Sequence, residues 1–164
     1  MSDALFQGKN NKVIKLSDKD FKIYHDPAGN THVKLINPKF HGKDGYVMIF
    51  ASWCPHCRAK EDFWSYLAQQ FNANTEFARE NFRIGIIDAE NPDAQDVIQA
   101  LGVGPIPNFQ HVVADPRNPK EADLVEYVGL LSIEGFLGEA CKASNTDNLC
   151  QIDRRRLNAP PIGL

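Results

Sequence analysis

The chain has 164 residues, long enough to bury one substantial core, and its 43% apolar and 24% charged content is that of an ordinary globular domain. A formal net charge of −3 lacks the basic excess of a nucleic-acid binder, and no apolar run approaches a membrane span. Met1 to Asn10 also lack the apolar stretch of a secretory leader. With Met1 as the natural start, the expectation is a cytoplasmic protein in a reducing compartment. There, cysteines serve catalysis or metal binding more often than structural disulfides.

No internal repeat is visible. Residues 1–12 are polar and read as a flexible N-terminal segment, residues 13–143 as the domain with an insertion around 22–44, and residues 144–164 as a polar tail. Val13 to Leu16 predicts a short strand. Lys22-Ile23-Tyr24 and Thr31 to Leu35 flank the turn residues His25 to Asn30, which predicts a hairpin. Tyr46-Val47-Met48-Ile49-Phe50 is an unbroken apolar run, as expected of a strand covered on both faces. A helix follows from Pro55 to about Phe71, with Phe63, Leu67 and Phe71 four apart on its core face and Lys60, Glu61 and Gln69 free to face water. Phe82 to Asp88 predicts a second buried strand, Asp93 to Leu101 a short helix, Phe109 to Val113 a third strand and Leu124 to Val128 a fourth. Ser132 opens a last helix with Ile133, Phe136 and Leu137 inward. Parallel strands need crossover helices, whereas the last two strands can pair antiparallel, so the order β-α-β-α-β-β-α predicts an α/β sheet with helices on both faces.

Cys54 and Cys57 fall where the strand through Phe50 hands over to a helix. At a helix N-terminus the unpaired N–H groups and the macrodipole favour a thiolate at Cys54. Pro55 suits the first turn, where a missing N–H costs nothing. Cys57, three residues on, returns to the same face, so one sulfur can attack a substrate disulfide and the other release the product. Trp53 supplies a flat apolar body beside the pair, and His56 adds positive charge when protonated. Each has a plainer reading: Trp53 as core packing, His56 as an exposed polar filler. The pair also fits half of a zinc site completed by Cys141 and Cys150, although such knuckles rarely join a buried strand to an amphipathic helix.

With these residues in view, the chain from about Val13 to Lys142 resembles the thioredoxin superfamily. The resemblance is carried by Phe50-Ala51-Ser52-Trp53-Cys54-Pro55-His56-Cys57-Arg58, by Ile87-Asp88 followed by Asn91-Pro92, and by Gly102-Val103-Gly104-Pro105-Ile106-Pro107. Tyr127-Val128-Gly129 with Ser132 and Glu134 completes it. It implies a thioredoxin fold, a central mixed sheet with helices on both faces, and a thiol–disulfide oxidoreductase that needs no cofactor or metal. By the same resemblance Cys54 is the nucleophile and Cys57 the resolving thiol. Pro107 is the cis-proline, rather than Pro105 or an ordinary trans strand opener, and Ile106 offers backbone hydrogen bonds to an extended substrate. The partners implied are cysteine-containing protein substrates and a redox partner, the chain being a monomer or weak dimer.

The family usually carries a buried carboxylate six residues before the first cysteine; here that place is Met48, which implies slow deprotonation of Cys57. The Pro-His pair resembles the DsbA-type oxidases more than the Gly-Pro of thioredoxins, without the DsbA helical insertion. Stabilising the Cys54 thiolate favours the reduced form, which implies a more oxidising potential than thioredoxin's. Each pKa step below ambient pH is worth about 1.4 kcal/mol, or roughly 30 mV for two electrons. Asn108 stands where the family often has threonine, and Phe63 to Asn81 is somewhat long. Cys141 and Cys150 are either unpaired thiols, a disulfide pinning the tail, or a second redox relay. Arg154-Arg155-Arg156 and the histidines His25, His32, His41 and His111 suggest no site. A non-catalytic thioredoxin-like binding module is the alternative function. An oxidant-like motif without a leader fits a cytosolic pathway, incorporation in a viral particle included.

Overall fold

The computed structural model describes residues 4–8, 11–73, 77 and 80–143. Seven strands form one sheet: β1 (Ile14–Leu16), β2 (Phe21–His25), β3 (Thr31–Leu35), β4 (Asp44–Phe50), β5 (Phe82–Asp88), β6 (Asn108–Ala114) and β7 (Ala122–Glu126). Their spatial order is β1-β5-β4-β6-β7-β3-β2. β1 and β4 run parallel to β5, and β6 runs antiparallel to both β4 and β7. The helices are α1 (Pro55–Asn72), α2 (Gln95–Ala100) and α3 (Ile133–Ala143). This is a thioredoxin-like α/β fold, with α1 and α3 covering one face of the sheet and α2 the other. Among the described residues no helix is long and apolar enough to cross a membrane.

β4 is the central strand and is buried along its whole length, as its unbroken apolar run requires. Successive side chains alternate faces. Tyr46, Met48 and Phe50 join the cluster under α1 and α3, while Val47 and Ile49 join the cluster under α2. The first cluster is dominated by aromatic rings. Phe136 lies 4.6 Å from Tyr127, 4.8 Å from Tyr46 and 5.3 Å from both Trp64 and Phe109. Polar tips in this layer are satisfied by backbone: the Tyr46 hydroxyl donates to Phe136 O at 2.7 Å and the Trp64 indole to Gly85 O at 2.9 Å.

The hairpin of β2 and β3 extends the sheet beyond β7, through the pairs Lys34–Asp123 and Leu35–Ala122 and an ion pair between Lys34 and Asp123. Its turn closes with Asp26 N–H donating to Asn30 O and Gly29 N–H to Asp26 O, with Gly29 at φ +87°, a region that favours glycine.

Three expectations need correction. β7 ends at Glu126 rather than Val128. Tyr127 N–H still reaches Phe109 O at 2.8 Å and Asn108 stands next in register, but the chain turns there, with the Tyr127 hydroxyl bonded to Leu130 O, instead of continuing the ladder. The short helix begins at Gln95 after a tight turn over Pro92–Ala94 capped by the Asn91 side chain, not at Asp93. The flexible segment expected over residues 1–12 does not hold for Leu5 and Phe6, which are 2% and 0% exposed. Their side chains join the core cluster that also holds Phe50 and Trp64. An apolar pair inside a polar stretch finds a pocket that only the folded chain creates.

Phe136→Ala removes the ring on which the α3 layer converges. A loss of about 3–5 kcal/mol in unfolding free energy, read by denaturant titration, is the expected result.

Candidate active site

Three segments meet at the site: the turn after β4, the first turn of α1, and the loop before β6. Cys54 caps α1 with extended backbone angles (φ −80°, ψ 115°), and its Sγ accepts a hydrogen bond from Cys57 N–H at 3.3 Å. Pro55 occupies the first helical turn, as its fixed φ and missing N–H allow. The turn is held by Cys54 N–H to Ala51 O at 3.1 Å and by Arg58 Nη1 to Ser52 O at 3.1 Å. On the other side the Cys54 thiol donates to Ile106 O at 3.8 Å, and the Ile106–Pro107 peptide is cis. The structure therefore brings Cys54, Cys57, Pro55 and Ile106 together, with Pro107 adjoining.

Both cysteines are free thiols. Cys57 is fully covered, and burial together with its contact to Cys54 pushes its thiol up to about 12. Cys54 is itself only 3% exposed. Trp53 is 61% exposed and not core packing, while Pro55 and His56 are exposed beside it. Met48 is wholly buried in the same cluster as Cys57, in register with Ile86 and Phe109, and brings no ionisable group.

Sequence reasoning missed two apolar side chains on the connection between β7 and α3. Val128 and Leu130 are 87% and 74% exposed, and Tyr127 N–H fastens that connection to β6 two residues past Pro107. The connection is packed tightly against α3: the Tyr127 hydroxyl donates to Leu130 O, and a Cβ on Gly135 would stand 2.2 Å from that carbonyl, so glycine is required there. The sequence hid them, because Val128 ends the predicted strand Leu124 to Val128 and Leu130 stands in the short link to the last helix.

Asn108 lies buried just after Pro107, donating to Glu126 Oε1 at 2.9 Å and accepting from Gln110 Nε2 at 2.7 Å. Its amide thus joins β6 to β7 behind the loop. Cys141 is disulfide-bonded, which removes it both as a free thiol and as a metal thiolate. Cys150, Arg154, Arg155 and Arg156 lie outside the described residues. His25 and His32 bond within the hairpin to Thr31 and Asp26, and His41 to Ile36 O. His111 stacks on Tyr46 at 4.7 Å, and burial holds it below the usual imidazole range.

Solved structures similar to this chain are thioredoxin-fold proteins. Thioredoxin f from spinach chloroplast is 18% identical with a TM-score of 0.47, over 84% of this chain and 96% of that one. The thioredoxin domain of a thiol-disulfide oxidoreductase from Bacteroides vulgatus is 17% identical with a TM-score of 0.41, over 66% and 84%. An exposed lipoprotein thioredoxin of Streptococcus pneumoniae is 16% identical with a TM-score of 0.42, over 80% and 99%. No family model and no curated protein matches the chain.

The raised Cys57 thiol has a consequence for stability. From its ordinary value of 9.0 up to about 12, the folded chain keeps a proton that the unfolded chain has lost. The stabilisation it contributes is complete below pH 9 and disappears as pH climbs toward 12. Cys57→Ala is expected to unfold less steeply with rising pH over that window than the parent, in urea titrations at successive pH values.

Proposed function

We propose that the chain is a thiol–disulfide oxidoreductase that exchanges disulfides with protein substrates through Cys54 and Cys57. One observation carries the reading: Cys54 Sγ sits at the N-terminal end of α1 with Cys57 N–H bonded to it and the Ile106 carbonyl beside it. The N–H donor and the positive end of the helix favour negative charge on that sulfur. In the reaction Cys54 thiolate attacks a substrate disulfide, releasing one substrate sulfur as a thiolate and leaving a mixed disulfide. Cys57, deprotonated, then attacks the Cys54 sulfur. The substrate leaves with its second sulfur reduced, and the protein holds the Cys54–Cys57 disulfide. The reverse sequence oxidises a substrate dithiol.

The substrate is an extended cysteine-containing segment whose backbone meets Ile106 and whose side chains meet Trp53 and Pro107. His56 and Pro55 tune the pair. The place of Cys54 Sγ at the helix N-terminus, with Cys57 N–H bonded to it, supports a potential more oxidising than thioredoxin's. Equilibration with glutathione measures it, and a value above roughly −270 mV is expected. Cys57→Ser accumulates mixed disulfides with substrate, and Cys54→Ser has no turnover, both read on gels run without reductant.

The nearly complete burial of Cys54, with apolar Met48 where a proton acceptor would lie, favours a second reading, a binding module that captures substrate without turning over. Full partner function in both serine variants would select it. Met48→Asp places a carboxylate in the cluster that holds Cys57, so a new ionisation in the pH–rate profile of disulfide exchange is expected. An unchanged profile would exclude a proton-transfer limit at Cys57.

A further inference from the structure

The cysteines are carried by two pieces of chain, the turn from Ala51 to Cys54 and the first turns of α1, and one short N-terminal segment is fastened to both. Leu5 N–H donates to Ser52 Oγ at 3.1 Å, in the residue pair just before Cys54. Phe6 N–H donates to Glu61 Oε2 at 2.6 Å, one helical turn beyond Cys57 on the same side of α1. The Phe6 ring meets Phe50 edge-on at 5.0 Å, at the end of β4. Phe6 also holds φ +62°, a conformation that a bulky residue keeps only where its surroundings over-determine it. Both side chains belong to the buried cluster that contains Cys54, Cys57 and Met48.

We propose that Leu5 and Phe6, clasped by Ser52 and Glu61, are positioning residues of the redox centre that keep water from Cys57 and so set how readily it acts as the resolving nucleophile. The inference rests on the redox reading above. Resolution begins when Cys57 passes its proton to water or a dissolved base. Its thiolate then displaces the substrate sulfur from Cys54, forming the Cys54–Cys57 bond, and the departing substrate thiolate takes up a proton. The titratable groups about Cys57 are Cys54 and, one turn on along α1, the Glu61 carboxylate that holds Phe6 N–H; Met48 from β4, Phe50 and the two clasp side chains bring none. A dry clasp opposes the first transfer, which prolongs the mixed disulfide.

The test uses the full chain with Phe6→Ala, Phe6→Leu and Ser52→Ala. In a Cys54→Ser background, Cys57 alkylation by iodoacetamide at fixed pH is expected to quicken about tenfold in Phe6→Ala, the change that a tenfold larger thiolate fraction produces. Ser52→Ala, which removes the acceptor of Leu5 N–H, quickens it severalfold, and Phe6→Leu restores the parental rate. With Cys54 intact, the mixed disulfide with a peptide thiol resolves faster in the same order. If Phe6→Ala and Ser52→Ala fold, as circular dichroism shows, and both alkylation and resolution stay within about twofold of the parent, the clasp has no such role. Equal acceleration by Phe6→Ala and Phe6→Leu would also overturn it. Should Phe6→Ala fail to fold, Ser52→Ala decides alone, since it loosens the clasp with no change of charge and without opening the core. Failure of the redox reading is distinct: the parent would then form no mixed disulfide, while the alkylation rates would still report on the clasp.

Discussion

The hydrogen bond from Cys57 N–H to Cys54 Sγ is the contact on which the rest of the site depends. It makes the first sulfur the cap of α1, in the place that an oxygen of serine or aspartate fills at other helices. A cap must stand in line with the free N–H groups of the first turn, so the same bond orients the sulfur toward the helix dipole and holds the second cysteine beneath it. β4 delivers the chain to that position, and Pro55 starts the helix without losing a donor.

Around that bond the two thiols meet different surroundings. Cys54 lies at a boundary, with a donor behind it, the Ile106 carbonyl beside it and the exposed Trp53 preceding it. Cys57 lies in an apolar layer of Met48, Phe50 and the N-terminal clasp, where an ion is poorly accommodated. Under the proposed function Cys54 is the sulfur that begins exchange and Cys57 the one that ends it. Met48, wholly buried in the same cluster, brings no ionisable group to that layer.

The sheet serves the site in a second way. β6 starts immediately after the cis Ile106–Pro107 bond and is clamped between β4 and β7, so the loop before it is held at a fixed distance from the cap. The buried Asn108–Gln110–Glu126 bonds add a polar tie at that point, where an unpaired amide would be costly. On the far side, β7 ends at Glu126, before β6 runs out, and leaves Val128 and Leu130 on the surface. The added hairpin of β2 and β3 covers what would otherwise be the open edge of β7.

Local rules were enough for much of this. The unbroken apolar run of β4, the fourfold spacing of Phe63, Leu67 and Phe71, and the placement of Cys54-Pro55-His56-Cys57 at a strand-to-helix junction depend on neighbours in sequence, and they determined the strands, the helices and the cysteine pair. The turn residues between Ile23 and Val33 likewise marked the hairpin. The exposure of Trp53 and of Val128 and Leu130, the covering of Cys54, the docking of Leu5 and Phe6, and the end of β7 at Glu126 were decided by tertiary structure alone. Each depends on residues tens of positions away: Ser52 and Glu61 for the clasp, Ile106 for the sulfur, Gln110 for the last rung of β7. Periodicity reports which face of an element is apolar, but burial depends on what the rest of the chain lays against that face, and this only the folded molecule contains.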